Sequence, residues 1–365
     1  MATLSLRATN RATLARQHLL ARTEQTAIDM IEHLVGMQAQ APFPPYTGLW
    51  TRLVDFQPGE LADALLNRHV VRIVLMRGTV HLVSAADACF LRPLTQPLLD
   101  RDLRTNTQHA RHLADLDLTK VADAARLVLA ERPHTAKELG AALAEHWPDR
   151  DPAALTHAAR GLLPLVQVPP RAVWGRSGQT AYRTAEHWLD RQLDTSPDPG
   201  RMITRYLAAF GPASIADMQT WAGLTRLREV AETLDLRTFH TEDGRELYDL
   251  PDAPRPDEDT PAPVRFLPEF DNILLSHADR TRIMADEHRK RLFGVKNGVF
   301  PGTFLVDGWV RGSWRVTKDR KSAVLTITPW ARTTKKDLTA LTKEGMRLLD
   351  FLAATAETKD VRIES

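Results

Sequence analysis

The 365-residue sequence predicts an α+β protein made of three tandem winged-helix (helix-turn-helix) modules and a C-terminal antiparallel β-rich element. Three observations support this prediction: a helix-start pattern that recurs three times, a change to short β-prone runs in the last third, and two linkers. The linkers, 194–200 and 252–261, are too rich in proline, glycine and acidic residues for a helix or strand to continue. We therefore place the winged helices at 1–110, 115–193 and 200–250, and the β-rich element with a final helix at 262–365.

The recurring pattern is a hydroxyl residue, a carboxylate three positions later, and then an apolar residue, at 26–30, 135–139 and 214–218. This spacing favours a capping box, in which two side chains satisfy the free N–H groups at a helix start. Each copy follows an amphipathic stretch, predicted as a helix at 14–20, 121–129 and 202–210, and precedes another helical stretch. Helix, turn, helix is the plan of a DNA-binding motif. Unrelated helical pairs that match by chance are the alternative.

β-prone segments complete the pattern. The runs 70–83 and 165–182, the second with a turn at 175–178, are typical of two-stranded wings. In the last third, strands are predicted at 264–275, 291–295, 303–306, 309–316 and 323–328, before a helix at 335–356. Turn signals at 297–298, 307–308 and 319–320 separate them.

Charge is distributed unevenly, although the net charge is only +2. Residues 235–279 hold twelve acidic and four basic side chains, whereas 280–336 hold fourteen basic and four acidic ones. Such a change of sign indicates a face for a polyanion, with a solvated basic surface as the alternative. The single cysteine, Cys89, excludes a disulfide framework, and no histidine spacing indicates a metal or other cofactor. Without a long apolar run or a leader pattern, we expect a cytoplasmic protein with no membrane partner.

Two glutamines, Gln38 and Gln40, follow the first capped helix. Pro42 ends that helix, and Pro44 and Pro45 are expected to prolong an extended path. On extended backbone, side chains at i and i+2 point the same way, so both amides can hold a water or grip a sugar or base edge. From the residues alone, amides that cap helix carbonyls or face solvent remain the stronger interpretation.

A second constellation lies in the basic region. A hairpin tipped by Lys296 and Asn297 could enter a DNA groove while nearby arginines contact phosphates. Its alternative is an exposed hairpin with solubilising charge. Arg77 stands in a segment that could also serve a site, although such strand residues are more often structural. The candidate DNA-binding residues are Lys296, Asn297, Phe300, Arg289, Arg291, Arg311, Arg315 and Arg77.

Four separated motifs resemble the AlkZ/YcaQ winged-helix DNA glycosylases over essentially the whole chain. They are Gln-Ala-Gln at 38–40, Met-Arg-Gly-Thr-Val-His-Leu at 76–82, Arg-Tyr-Leu-Ala-Ala-Phe-Gly-Pro-Ala at 205–213 and Leu-Pro-Glu-Phe-Asp-Asn at 267–272. The resemblance implies a C-shaped monomer around a basic channel for duplex DNA that carries alkylated purines. It implies hydrolysis of the N-glycosidic bond of N7-alkylguanine, including bulky adducts and interstrand crosslinks, with Gln38 and Gln40 as catalytic residues. Glutamine at the second position is similar to the branch that confers self-resistance to genotoxic natural products of the azinomycin kind.

The implied chemistry is monofunctional base excision. N7-alkylguanine is cationic and departs as a neutral base, and neither glutamine can act as a general base, so both are expected to position water. A winged-helix transcriptional regulator without catalysis, or a resistance protein that binds the free alkylator, are the alternatives. Release of base from alkylated duplex separates all three.

Overall fold

The computed structural model describes residues 2–294 and 300–364. The predicted hairpin tip at Lys296 and Asn297 lies outside the described residues. The first unit contains eleven elements. They are β1 Thr3–Leu4, α1 Leu6–Arg16, α2 Ala27–His33, β2 Met37–Gln38, α3 Pro44–Trp50, α4 Pro58–Leu66, β3 Val70–Val74, β4 Val80–Ser84, α5 Ala85–Leu94, α6 Gln96–Thr105 and α7 Ala110–Leu113.

The second and third units share one element order, helix, short strand or bridge, two helices, then two strands. The second consists of α8 Leu118–Glu131, β5 His134–Thr135, α9 Ala136–Ala144, α10 Pro152–Leu162, β6 Leu165–Gln167, β7 Ala181–Thr184 and α11 Ala185–Leu189. The third consists of α12 Pro199–Phe210, α13 Ile215–Ala222, α14 Leu227–Ala231, β8 Arg237–Thr241 and β9 Glu246–Asp249, with Ala213 bridging to Tyr248.

The last third is β-rich. Its elements are β10 Arg265–Leu267, α15 Asp286–Phe293, β11 Gly302–Val306, β12 Trp309–Lys318, β13 Ser322–Pro329, α16 Lys335–Leu352 and β14 Thr358–Ile363. The five strands form one sheet in sequence order, antiparallel except for β14, which lies parallel to β13. The turn between β11 and β12 has Asp307 at φ 48° and Gly308 at φ 83°, as the turn signal at 307–308 predicts.

All three predicted capping boxes are confirmed. The hydroxyls of Thr26, Thr135 and Ser214 accept the backbone N–H three positions on, at 3.1, 3.2 and 3.2 Å, and the carboxylate at that position accepts the cap N–H in return. Each box starts the second helix of its unit. The repeated pattern therefore fixes three equivalent helix starts, each at an estimated stabilisation of about 1 kcal/mol.

The two hairpins predicted as the first and second wings, β3–β4 and β6–β7, form a single sheet. Its order is β2-β4-β3-β6-β7-β5, and Ile73 of β3 pairs with Val166 of β6. Buried apolar side chains fill the space on both sides: α2, α3, α4 and α16 pack around one cluster, and α5, α12 and α13 around another. This shared sheet fixes the first wing, and hence β2 beside it, against the rest of the protein.

Several local predictions are wrong. Helix α1 begins after the Ser5 cap and ends at Arg16, not within 14–20. Residues 291–293, predicted to start a strand, belong to helix α15, which continues to Phe293. Pro44 and Pro45 open helix α3 instead of an extended path, since proline suits the first turn of a helix. The α+β class with antiparallel sheets is confirmed. The count of three winged-helix modules and the C shape stay predictions.

Among the described residues, no helix combines the length and apolar character that a bilayer crossing needs.

Candidate functional site

Gln38 of the Gln-Ala-Gln segment lies on extended backbone, as predicted, at the end of strand β2, and Gln40 lies in a bend two residues further on. Strand β2 pairs antiparallel with β4, placing Gln38 opposite His81, and the Ala39 N–H donates to the Val80 carbonyl at 2.8 Å. Helix α2 ends just before, where Gly36 adopts φ 90°. A Cβ on Gly36 would lie 2.6 Å from the Val83 side chain, so glycine is needed for this close approach of β2 to β4.

Both glutamine side chains are held by their oxygens. Gln38 Oε1 accepts from Arg77 Nη2 at 2.9 Å, and Gln40 Oε1 accepts from the Val80 N–H at 3.2 Å. Because both partners are donors only, the amide orientation follows from the chemistry. Within the described residues, neither Nε2 group has an acceptor. Gln38 is 8% exposed and Gln40 is exposed, so the two amides present N–H donors at the surface and just beneath it.

Arg77 fixes Gln38 from the loop between β3 and β4. Its backbone has φ 57°, and its Nη1 donates to the Trp221 carbonyl at 2.8 Å. His81 lies beside it, fully buried, with Nδ1 3.0 Å from the Thr79 carbonyl. Burial and the Arg77 charge lower the pKa of His81 to about 3, so this imidazole is neutral. Its Nε2, 3.4 Å from Arg77 Nη2, is therefore an acceptor.

Positive charge accumulates beside Gln38. Burial, then the Arg280 charge, lower the pKa of Arg77 to about 10, and burial and Arg289 lower the pKa of Arg280. Arg280 also lies 4.6 Å from the Phe293 ring. In residues 2–294 and 300–364, neither Arg77 nor Arg280 pairs with a carboxylate, whereas Arg289 pairs with Asp286. Two half-buried guanidinium groups without a counter-ion suit a phosphate.

The loop at 267–272 packs against the segment that carries Gln38. Asp271 accepts from both Nη atoms of Arg52, each at 2.8 Å, while Asn272 accepts from the Gln38 N–H at 3.3 Å and donates to the Gly36 carbonyl at 3.0 Å. Between these anchors and Pro268, Glu269 is half-buried and has no hydrogen-bond or ion-pair partner in the described part of the chain. Burial raises the pKa of its carboxyl group.

Two adjoining cavities meet at this loop. The larger, about 520 Å³, starts at Ala41 and is open and mainly apolar; the smaller, about 10 Å³, adjoins Gln38. A volume of the second size holds roughly one water. The two share Pro44, Pro268 and Glu269 as lining residues. The larger cavity is lined by Ala41, Pro42, Phe43, Pro44, Thr47, Trp174, Gly175, Pro268, Glu269, Trp314, Lys318 and Leu352.

The other predicted DNA contacts are dispersed. Arg291 of α15 lies 5.3 Å from the ring of Trp330. The backbone N–H of Trp330 donates to the Arg311 carbonyl. Arg315, exposed on β12, faces Glu364 at 3.6 Å. Phe300 packs at 4.9 Å from Phe270 and 5.0 Å from Phe293, next to Arg280. Of the predicted DNA-binding residues that the structure describes, only Arg77 contacts a glutamine of the motif.

Sequence reasoning missed four residues of this site: Arg280, Asn272, Glu269 and Trp174. Asn272 and Glu269 lie inside the quoted 267–272 motif, so that motif was the available signal. Arg280 starts the basic stretch but has nothing local to distinguish it, and Trp174 lies in the predicted turn region of the second wing. No group of three or more His, Cys, Asp or Glu among the described residues is arranged to hold a metal ion.

Comparisons with known proteins identify the family and the fold of this chain. The family model described as DNA glycosylase AlkZ-like matches residues 31–351. A Streptomyces sahachiroi protein named interstrand DNA cross-link repair glycosylase is 24% identical over 361 residues, covering 91% of this chain and 92% of the relative. The solved structure of Streptomyces sahachiroi DNA glycosylase AlkZ shares the fold, with a TM-score of 0.80 and 20% identity over 99% of this chain and 100% of that one. This chain therefore belongs to the AlkZ-like DNA glycosylase family.

Proposed function

We propose that this protein is a monofunctional DNA glycosylase that hydrolyses the N-glycosidic bond of N7-alkylguanine, including bulky adducts and interstrand crosslinks. Membership of the family and the name of the Streptomyces relative support DNA as substrate and crosslinks as lesions. The observation that carries the proposal is the pair of amides, Gln38 and Gln40, whose oxygens are held by Arg77 and Val80 while their N–H₂ groups remain available.

The reaction needs little acid catalysis. An N7-alkylated guanine carries positive charge, so it leaves C1′ as a neutral base without protonation by the enzyme. The remaining tasks are to place a water against C1′ and to stabilise the charge on the sugar as the bond breaks. Donors fixed by their own hydrogen bonds can hold the water oxygen, or the sugar oxygens, without reorganising during the step. We assign that task to Gln38 and Gln40.

The nearest phosphate contacts are proposed to come from Arg77 and Arg280, which pair with no carboxylate in the described part of the chain. Arg77 and Arg280 are near Gln38, and Arg289 lies beyond them, so a phosphate flanking the lesion can approach the amides from this side. We propose further contacts along the basic surface and at the segment after α15. They involve Arg291, Arg311, Arg315, Phe300, Lys296 and Asn297. A monomer suffices for this arrangement, because every residue named belongs to one chain.

The larger cavity supports the proposal that the lesion carries a bulky adduct. It begins at Ala41, one residue after Gln40, and Phe43, Trp174 and Trp314 give it aromatic walls. Its volume of about 520 Å³ lies within the range of ordinary small-molecule pockets. Because the cavity is open, an adduct tethered to the opposite strand need not be enclosed. Self-resistance to a genotoxic alkylating natural product is the role that we propose for such an activity.

The test is base release from a duplex that contains one N7-methylguanine. After incubation with the protein, alkali cleaves the strand wherever an abasic site has formed, and we expect cleavage at that position only. Borohydride should trap no protein–DNA adduct, since water and not an amine is the nucleophile. A protein that binds one particular duplex sequence and releases no base from methylated or crosslinked DNA is a regulator, and one that binds only the free alkylator is a drug-binding protein.

A further inference from the structure

The amide pair leaves one chemical task unassigned. When water attacks C1′, it must lose a proton, and an amide N–H₂ group cannot accept one. The only acceptors on Gln38 and Gln40, their oxygens, already receive hydrogen bonds from Arg77 and Val80. A separate proton acceptor is therefore needed next to the space where the water lies.

The loop at 267–272 is built to present one side chain. Asp271 is locked by two hydrogen bonds to Arg52, and Asn272 ties the loop to Gly36 and to the backbone of Gln38. Immediately before these two anchors, Phe270 adopts φ 59°, a conformation that L-residues rarely keep unless their surroundings enforce it. The side chain that this anchored turn leaves without a partner in the described chain is Glu269.

We propose that Glu269 is a catalytic residue that accepts the proton from the attacking water. This inference rests on the proposed glycosylase activity and adds a role that the Gln-Ala-Gln motif cannot fill. Glu269 lines both the water-sized cavity that Gln38 also lines and the open cavity that begins at Ala41. It thus lies where the cavity lined by Gln38 meets the space proposed for the adduct.

The step balances without a further reactant. The water oxygen forms a bond to C1′ while the bond from C1′ to the base nitrogen breaks. The electron pair of the broken bond stays on the base and neutralises the cationic alkylguanine. One proton of the water passes to the Glu269 carboxylate, which later releases it to solvent. The products are the neutral alkylated base and a sugar with a hydroxyl at C1′.

Other titratable groups nearby are unsuited to the task. His81 is already an acceptor for Arg77 and is held neutral by burial and that charge. Asp271 is neutralised by Arg52, and Lys318, which lines the larger cavity, donates from Nζ to the Leu352 carbonyl at 2.6 Å. No other charged side chain lines the two cavities in the described part of the molecule.

The pH dependence follows from burial. Because burial raises the pKa of Glu269, the carboxylate form is lost at a higher pH than for a solvated glutamate. As a base it acts only when ionised, so the excision rate should rise with pH through that pKa and then level off. The substrate base titrates as well, but equally for every variant of the enzyme.

The experiment measures single-turnover excision of N7-methylguanine from duplex DNA between pH 5 and pH 8, for wild type and Glu269→Gln. We expect the variant to be slower by about 100- to 10,000-fold, the usual contribution of general acid–base catalysis, and the ratio of the two rates to change with pH. Glu32→Gln is the matched control: Glu32 is a half-buried glutamate of α2 whose side chain makes no hydrogen bond or ion pair in the described residues. It should retain the wild-type rate and pH profile.

Two further variants distinguish a proton acceptor from a merely structural role of Glu269, and the results given first are those expected for a proton acceptor. Glu269→Asp keeps a carboxylate and should remain slower than wild type yet still gain rate with pH, and formate should partly restore Glu269→Ala. An active wild type with Glu269→Gln within about threefold of it at every pH overturns the role of Glu269 alone. A wild type that releases no base from methylated or crosslinked duplex overturns the glycosylase proposal and this inference with it.

Discussion

The first and second wings follow one plan, yet their loops contribute different things to the site. Both are antiparallel hairpins of the same six-stranded sheet. In the first, a short loop at 75–79 presents Arg77, which joins Gln38 to the Trp221 carbonyl of the third unit. In the second, a loop at 168–180 carries Trp174 to the wall of the larger cavity.

Different anchors hold the two loops. The first is a tight turn whose Arg77 has φ 57° and two carbonyl-type acceptors. The second is long and is fixed from the first unit by Tyr46, whose hydroxyl donates to the Ala172 carbonyl at 2.8 Å and accepts from the Trp174 N–H at 3.1 Å. The comparison teaches that two similar hairpins can carry loops of different length and anchoring. In the function proposed above, the first loop serves the reaction and the second the size of the adduct.

The strongest way to break this comparison is to remove the amide that the first loop holds. We expect Gln38→Ala to slow excision of both methyl and bulky adducts by about 100- to 1,000-fold, the cost of one preorganised donor. Single-turnover rates at saturating enzyme measure it, with DNA affinity and melting temperature as controls. A variant that binds DNA and excises at the wild-type rate would remove Gln38 from the mechanism.

A smaller effect is expected from the residue that orients this amide. Arg77→Lys cannot reach both the Trp221 carbonyl and Gln38 Oε1, since only a guanidinium offers two separated donors. Losing a hydrogen bond from a charged group costs about 1.5–3 kcal/mol, which corresponds to about a 10- to 100-fold slower reaction on every substrate.

Arg68 provides the matched control. It also has a positive φ, 63°, and donates to a tryptophan carbonyl, that of Trp188, but it contacts neither glutamine. Arg68→Lys should leave excision unchanged. If the two lysine variants behave alike, the rate loss at Arg77 reflects the loop backbone and not the orientation of Gln38.

The parts of the fold that local chemistry determines were predictable. The capping boxes at Thr26, Thr135 and Ser214 need only residues three apart, and the hairpin strands need only alternating or continuous apolar runs. Pro44 was ambiguous for a physical reason: its fixed φ suits both an extended path and the first turn of a helix. Strand β14, which pairs in parallel with β13 after a crossover through α16, depends on contacts that no short window contains.

The candidate site was predictable only in part. The spacing of Gln38 and Gln40 predicts that both amides face one way, and both do accept donors from the segment 77–80. That their oxygens are occupied, and that Glu269 has no partner in the described chain, follows from tertiary contacts that span more than 200 residues, such as Asn272 with Gln38. A sequence pattern identifies groups capable of chemistry, but it does not reveal which of their atoms remain available.

The finest test of the comparison lies in the second loop. Trp174→Ala removes one aromatic wall of the larger cavity, so binding of a planar adduct should lose about 0.5–1.5 kcal/mol beyond the apolar area, or roughly tenfold in kcat/KM. N7-methylguanine does not extend into this cavity and should be excised within about twofold of the wild-type rate. Trp188→Ala, a half-buried tryptophan of α11 beneath Arg68, controls for the loss of any indole. Equal losses on methyl and bulky adducts would mean that the second loop supports the reaction itself, and the division of roles between the two wings would no longer hold.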